Sequence, residues 1–394
     1  KKIILKNITE KKVKIGIVGM GYVGLPLALT FVEKGFMVTG IDIDEKRIKS
    51  LENGVSFINH IPSSRIKDAL VKNFTFATDF SIIKKLDVII ICVPTPLNDY
   101  KEPDLSYVES SVSEIVPHLH KGMVVCLVST TYPGTTEEIV LPKLREGNGI
   151  NVGKDTFLIY SPEREDPGNS KFDTKSIPKI VSGYSEDCLE IGTSLFKEII
   201  EDVVPVSSLK VAELAKLLEN IYRAVNIGLV NDMKKITDKM DIDIFEVIDA
   251  ASTKPFGFKP FFPGPGLGGH CIPIDPFYLS WKSKEFGIYS HFIELAGEIN
   301  SEMPSWVVNK VSSALNDKEK SIRGSKVMIL GLSYKKDIED TRESPSIEII
   351  EILNKKGAKI SYHDSYVDSY SFSFGELKNS NLDKTVLNEH DLVL

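Results

Sequence analysis

Cys271 closes the stretch Pro263-Gly264-Pro265-Gly266-Leu267-Gly268-Gly269-His270, and a carboxylate, Asp275, follows four residues later. Glycine lets backbone approach a ligand closely, while proline fixes the path of a loop. A thiol held at the end of such a loop is a candidate nucleophile. The competing reading is a buried Cys beside a tight turn, because free Cys packs well in apolar surroundings. His270 is the tempting base, but its place next to Cys271 turns the ring away, and it reads as structural. A second polar set, Glu213, Lys216, Asn220 and Arg223, falls at i, i+3, i+7 and i+10 of a helical pattern over 207–239, capped by Ser207 or Ser208. That spacing keeps all of them on one helix face. A solvated stripe is the usual explanation. Yet the helix is apolar over most of its remaining surface, so it is expected to be buried and its stripe to find partners inside.

The elements that would position these groups begin with strand, turn, helix and strand over 13–44. Gly19-Met20-Gly21-Tyr22-Val23-Gly24 follows an apolar strand at 14–18 and opens an apolar helix over 25–34. Asp42, 18 positions after Gly24, ends the next strand, 37–41. In that context GxGxxG is a dinucleotide fingerprint: the glycines admit pyrophosphate to the helix N-terminus, where N–H groups and the dipole meet it. A tight turn without ligand is the plainer alternative. Asp42 would accept hydrogen bonds from the adenosine ribose and repel a 2′-phosphate, so NAD is expected rather than NADP. A thiol together with NAD implies oxidation of an aldehyde through a thioester.

Strands at 87–93 and 123–128 run into Thr95 and Thr130, which in a doubly wound sheet would face cofactor or substrate. Either threonine alone could instead cap a helix. Another strand, 157–160, leads into Ser161-Pro162-Glu163-Arg164-Glu165-Asp166-Pro167-Gly168, bringing three acids and an arginine to the same sheet edge. Phe256, Phe258, Phe261 and Phe262 precede the cysteine loop, to stack on a flat base or to pack a domain junction. Helices are expected at 276–286, 292–300 and 304–315, then a charged linker at 316–320. The last part repeats the opening pattern: strand 326–331, helix 345–355 with Ser344 as cap, and strand 359–362 ending near Asp364. Lys34-Gly35 and Asp42 recur as Lys356-Gly357 and Asp364, a degenerate βαβ repeat. Where the first copy has phosphate glycines the second has Lys335, Lys336 and Arg342, side-chain cations able to replace amides.

The economical fold is α/β: two Rossmann-like doubly wound parallel-sheet domains joined by a long central helix, with a cleft between the sheets. A length of 394 residues suits two or three domains. We expect an NAD-binding domain at 1–206, a central helical domain with the cysteine loop and a dimerisation face at 207–318, and a second Rossmann-like domain at 319–394. With 42% hydrophobic and 26% charged residues the composition is that of an ordinary globular protein. A net charge of −7 argues against broad nucleic-acid binding, while local cationic clusters can still hold small anions. Cys92, Cys126, Cys188 and Cys271 form no CxxC pair, and no metal is expected. No signal-peptide pattern or long apolar run is read, so a cytoplasmic, reducing location without a membrane partner is expected.

Val18-Gly19-Met20-Gly21-Tyr22-Val23-Gly24-Leu25-Pro26, Val93-Pro94-Thr95-Pro96, Ser129-Thr130, Leu217-Leu218-Glu219-Asn220 and Gly268-Gly269-His270-Cys271 together resemble the UDP-glucose/GDP-mannose dehydrogenase family, the nucleotide-sugar 6-dehydrogenases. The resemblance runs from about Val13 to the end of the chain. Glu163-Arg164 and Ile274-Asp275 differ from the glucose enzymes, which usually carry an aliphatic or aromatic pair after that Glu and a lysine directly before that Asp. Ser161-Pro162-Glu163-Arg164 with Pro167-Gly168, and Gly269-His270-Cys271-Ile272-Pro273-Ile274-Asp275-Pro276, are similar to the 2-acetamido branch. Tyr132-Pro133-Gly134-Thr135-Thr136-Glu137-Glu138, Glu163-Arg164-Glu165-Asp166-Pro167-Gly168 and Thr253-Lys254-Pro255-Phe256-Gly257-Phe258 resemble most the bacterial UDP-N-acetyl-D-glucosamine 6-dehydrogenases of O-antigen and lipopolysaccharide synthesis.

The resemblance implies Cys271 as nucleophile, Lys216 and Asn220 on the C6 oxygen, Asp275 near the reactive water, and Glu163 and Thr130 around C6. It implies Gly19, Gly21, Tyr22, Val23, Gly24, Asp42, Arg47, Thr95, Thr130 and Arg342 as NAD contacts. For the UDP-sugar it implies Glu163, Arg164, Glu165, Lys216, Asn220, Arg223, Phe258, Gly268 and Lys335, with 319–394 as the UDP-sugar-binding domain and a homodimer or higher oligomer. The family carries a further strand and an Arg-containing segment, so the C-terminal sheet is expected to be cut short at Leu394. Three alternatives stand beside this reading. They are a UDP-N-acetylmannosamine or UDP-glucose 6-dehydrogenase, a single-hydride β-hydroxyacid dehydrogenase, and a non-catalytic NAD-binding regulator.

Overall fold

Runs of four or five apolar, often β-branched residues, each bounded by a turn, set the strands of the first half. They are β1 (Lys14–Val18), β2 (Met37–Ile41), β3 (Phe74–Ala77), β4 (Val88–Ile91), β5 (Val124–Leu127), β6 (Phe157–Tyr160), β7 (Lys179–Gly183) and the shorter β8 (Val203–Pro205). The computed structural model describes residues 1–58, 61–98, 100–146, 149–164, 176–269 and 272–394. These strands form one sheet in the order β3-β2-β1-β4-β5-β6-β7-β8. All neighbours are parallel except β6 and β7, which run antiparallel.

Around the sheet lie α1 (Lys2–Thr9), α2 (Gly24–Glu33), α3 (Glu45–Glu52), α4 (Ser63–Val71), α5 (Ser106–Ile115), α6 (Leu141–Glu146) and α7 (Glu186–Lys197). Ile15, Ile17, Val88 and Ile90 point to the face covered by α2, α4 and α7. Val18, Ile89 and Ile91 point to the other, under α5 and α6. Strands buried on both faces read as unbroken apolar runs, which is why the sequence shows them so plainly.

The chain divides into two compact units, Lys1–Leu218 and Glu219–Leu394. The helix α8 (Leu209–Lys239) passes from one to the other, 31 residues long. The Ser208 hydroxyl accepts the Val211 N–H at 3.3 Å, as a cap should. The second unit continues with α9 (Ile244–Ser252), α10 (Asp275–Lys284) and α11 (His291–Asn316). Then come β9 (Lys326–Leu330), α12 (Pro345–Lys355), β10 (Lys359–His363), β11 (Ser369–Phe372), β12 (Gly375–Lys378), α13 (Lys384–Asn388) and β13 (Leu392–Val393). A parallel sheet in the order β10-β9-β13 packs against α11 and α12 through Val327, Ile329, Val311 and Ile350, and β11 pairs with β12 in a hairpin. No helix among the described residues is long and apolar enough to cross a membrane.

The repeat seen in the sequence is a repeat of hydrogen bonds. Gly19 (φ +92°) donates to the Ile41 carbonyl at 2.8 Å, and Gly331 (φ +96°) donates to His363 at 2.8 Å. Met20 N–H then reaches the Asp42 carboxylate at 2.8 Å, as Leu332 N–H reaches Asp364 at 2.7 Å. Asp44 and Tyr366 amides close the other oxygens at 2.9 and 2.8 Å. Two expectations are corrected. The helices foreseen at 292–300 and 304–315 are one, α11, with Pro304 inside it. A proline within a helix costs about 3 kcal/mol, but Met303, Pro304 and Val308 are buried, and each buried apolar side chain contributes about 1.5–3 kcal/mol. Ser344 does stand at the N-cap of α12, but its hydroxyl makes no cap bond and is buried without a hydrogen-bond partner among the described residues.

Candidate active site

Register places the functional loops. Val18 pairs with Ile41 and Ile91, Ile91 with Leu127, and Leu127 with Tyr160, so four parallel strands end level beside β2. The turns after them carry Gly19–Gly24, Asp42, Thr95, Thr130 and Glu163 to one sheet edge. Strand order reverses between β1 and β4, where an open α/β sheet has its ligand crevice. The turn fits a dinucleotide. A Cβ on Gly21 would meet nothing within 4 Å among the described residues, so the backbone there leaves room for a ligand. A Cβ on Gly24 would lie 1.8 Å from the Gly19 carbonyl oxygen, so only glycine lets the helix start this close to the strand. No side chain caps α2, leaving its N-terminal dipole for a phosphate.

Asp42 is buried, and one of its oxygens takes Arg47 Nη1 at 2.8 Å as well as the Met20 amide. Thr95 donates its hydroxyl to the Thr130 carbonyl at 2.7 Å, and Ser129 donates to the Val93 carbonyl at 2.7 Å. These hydroxyls lace two strand-end loops together, and neither Thr95 nor Thr130 caps a helix. In the loop after β6, Glu163 Oε1 accepts the Arg164 N–H at 2.8 Å, and Oε2 pairs with Lys179 Nζ at 2.8 Å. Arg164 reaches the Pro178 carbonyl at 2.7 Å. Sequence reasoning missed Lys179, because a lone lysine heading a short apolar run gives no sign of which strand end it occupies.

Within the stripe on α8, Glu213, Lys216 and Asn220 are buried and Arg223 is exposed. Glu213 is accounted for by the loop after Thr131: it accepts the Gly134 N–H at 2.6 Å, and the Thr136 N–H and hydroxyl at 2.9 and 2.7 Å. Burial pushes its carboxyl above the usual range, and those donors offset the rise only in part. Asn220 donates to Asp275 Oδ2 at 2.5 Å, both side chains being buried. At the other end of the cysteine loop, Asn231 Oδ1 accepts the Gly264 N–H at 2.9 Å while its amide donates to Asn300 Oδ1 at 2.8 Å. Gly269 N–H reaches the Arg342 carbonyl at 3.1 Å, and a Cβ on Gly268 would strike Tyr334 at 2.4 Å. The loop is thus tied at entry, middle and exit. Asn231 was also missed; it continues the stripe three turns beyond Asn220, and extending the period would have found it.

Arg342 holds Asp340 through Nε at 2.9 Å and Nη2 at 2.6 Å; Lys335 is half-buried and Phe258 exposed. Glu165, His270 and Cys271 lie outside the described residues. The other three cysteines are buried and free. Burial pushes the Cys92 thiol above its ordinary range and Cys126 up to about 12, so neither supplies thiolate near neutral pH.

Comparison with known proteins agrees over nearly the whole length. The family models of the UDP-glucose/GDP-mannose dehydrogenases match in chain order: NAD binding domain at 13–200, central domain at 210–302 and UDP binding domain at 328–394. UDP-N-acetyl-D-glucosamine 6-dehydrogenase of Pseudomonas aeruginosa is 36% identical over 360 residues, 91% of this chain and 84% of that one. UDP-N-acetyl-D-mannosamine dehydrogenase of Methanococcus vannielii is 33% identical over 396 residues, 98% of this chain and 88% of that one. The structure of UDP-D-ManNAc dehydrogenase from Pyrococcus horikoshii superposes with a TM-score of 0.88 at 30% identity, covering 96% and 88% of the two chains. The chain belongs to the UDP-glucose/GDP-mannose dehydrogenase family, the NAD-dependent enzymes that oxidise nucleotide sugars.

Proposed function

We propose that this chain is a UDP-N-acetyl-D-glucosamine 6-dehydrogenase, taking the C6 hydroxyl to a carboxylate for surface polysaccharide synthesis in the cytoplasm. The observation that carries the chemistry is the buried Asn220–Asp275 bond at the exit of the Cys271 loop. It joins two of the residues the chemistry needs, one turn of α8 beyond buried Lys216. Relatives at 36 and 38% identity that act on UDP-N-acetyl-D-glucosamine support the choice of sugar. The functional division is 1–206 for NAD, 207–318 for the catalytic loop and pairing face, and 319–394 for the nucleotide sugar.

The Gly19–Gly24 turn with Asp42, Arg47, Thr95, Thr130 and Arg342 would hold NAD, which would supply the hydride acceptor, one molecule of NAD for each of the two oxidations at C6. Lys216 and Asn220 bind the C6 oxygen and stabilise its negative charge. Cys271 adds to the aldehyde carbon, and the thiohemiacetal becomes a thioester after the second oxidation. Asp275, fixed by Asn220, orients the water that hydrolyses the thioester to carboxylate and thiol. Glu163 and Thr130 line C6, while Arg164, Glu165, Arg223, Phe258, Gly268 and Lys335 bind the nucleotide sugar.

UDP-N-acetyl-D-mannosamine is the second reading, favoured by the 98% coverage of the methanococcal relative and by the Pyrococcus structure. Turnover of both sugars, of the C4 epimer of the first and of UDP-glucose, measured side by side, tests the assignment. Two NADH per uronate with the highest kcat/KM for UDP-N-acetyl-D-glucosamine is the expected result. A higher value for the mannosamine sugar moves the assignment to it. No turnover of any sugar leaves a non-catalytic NAD-binding protein.

A further inference from the structure

We propose that Lys179 is a positioning residue for the oxidation at C6, holding the Glu163 carboxylate in one orientation. This inference rests on the reading that Glu163 lies beside C6. Its basis is the reversal of β7, which together with β8 runs against the other strands of the sheet. The antiparallel register pairs Ile159 with Gly183 and Tyr160 with Ser182. Continued past the strand end, the same register sets Glu163 opposite Lys179 and Arg164 opposite Pro178. The contacts follow that pattern: Glu163 Oε2 meets Lys179 Nζ at 2.8 Å, and Arg164 donates to the Pro178 carbonyl at 2.7 Å. A parallel β7 would begin at the opposite edge, so reversal alone brings its first side chain to the ligand edge.

The pair is enclosed. The Lys179 side chain is 4% exposed and that of Glu163 13%. The ammonium also lies 5.6 Å from the centre of the Phe196 ring, and the Lys179 N–H donates to the Asp202 carbonyl at 2.9 Å. A buried lysine is costly unless a counter-charge meets it, so this one is built for its carboxylate. Glu163 in turn has its second oxygen on the Arg164 amide at 2.8 Å. With both oxygens bound, the carboxylate is held in place, as a group that orients a reacting hydroxyl requires. A pair serving only to close the ladder would leave kcat untouched when replaced.

Lys179→Met, Lys179→Arg, Glu163→Gln and the double variant Glu163→Gln/Lys179→Met are to be compared in steady-state kinetics, with thermal midpoints recorded. We expect Glu163→Gln and Lys179→Met each to lower kcat by about 10- to 100-fold, with KM for NAD unchanged. The double variant should be no slower than Glu163→Gln alone, and Lys179→Arg should recover most of the rate. Normal kcat in folded Lys179→Met overturns the inference while leaving Glu163 in place, provided Glu163→Gln is slow. If Glu163→Gln itself is fast, the placement of Glu163 beside C6 falls and the inference with it. Should Lys179→Met fail to fold, the double variant decides. There the buried glutamate charge is gone, and a rate several-fold below that of Glu163→Gln would show that Lys179 acts by another route.

Discussion

Asp42 accepts the Met20 and Asp44 amides and the Arg47 guanidinium, so one carboxylate shapes the glycine turn and stands where the adenosine ribose is expected. The sequence showed the acid and its distance from Gly24, but hid its backbone partners, because any strand-end Asp looks alike until the turn closes on it. Asp42→Ala should therefore do two things at once. The preference for NAD over NADP should narrow, since the charge facing a 2′-phosphate is gone. Stability should also fall by about 1–3 kcal/mol, since the buried Met20 amide loses its acceptor. Calorimetric titration with both cofactors, beside a thermal melt, reads the two effects separately; equal affinities in the unaltered protein would remove Asp42 from discrimination. The prediction for the thiol is sharper. Cys271→Ser should bind NAD and UDP-sugar normally yet release at most about one NADH per site, because hydroxyl is rarely ionised and the covalent route is lost. Uronate formation at the normal rate in that variant would end the thioester mechanism.

At the level of elements, what was legible was what periodicity encodes. The parallel strands, the glycine turn and the long α8 follow from patterns of apolar residues, and the repeat announced itself through Gly35, Asp42, Gly357 and Asp364. Strand direction is not encoded that way. An apolar run such as Ile180-Val181 reads the same in either sense, which is why the reversal of β7, and Lys179 with it, stayed hidden. The second copy of the turn offers a pH test of the shared geometry. Burial pushes Asp364 up, but amide donors from Ser333, Tyr366 and Leu332 outweigh it and hold the carboxyl below its usual range. A depressed folded-state value contributes stability that is complete above the unfolded value, about 3.9, and is lost as pH falls through the folded one. Asp364→Asn should thus cost about 2 kcal/mol near pH 7, with the gap to the unaltered protein closing below about pH 4. A gap that is constant from pH 7 to pH 3 in denaturant titrations would mean that the charge contributes nothing. Asn231→Ala tests the loop in the same way. Losing the Gly264 tie should lower kcat by roughly 10-fold or more while NAD binding holds, since misplacement of the loop by about 1 Å is that costly.

For the whole molecule, α8 poses a question of surface. One face is buried through Ala212, Leu217, Ile221 and Ala224. A second apolar row stays uncovered: Val211, Leu214, Leu218, Tyr222, Leu229, Met233 and Ile236 are each between 36% and 61% exposed. Their spacing of three, four and seven keeps them on one side of a rod about 46 Å long at 1.5 Å per residue. A monomer rarely leaves so continuous an apolar strip in water. A strip of this kind is self-complementary under a two-fold axis, which a closed dimer supplies. We therefore expect a homodimer paired through α8, burying on the order of 1,200 Å² or more. Sedimentation equilibrium should give twice the chain mass of 43.8 kDa. Leu218→Lys with Leu229→Lys should shift it towards a single chain, because each charge would be buried without a partner at the centre of the strip. A single-chain mass for the unaltered protein at micromolar concentration would show that this face of α8 is covered by something other than a second copy.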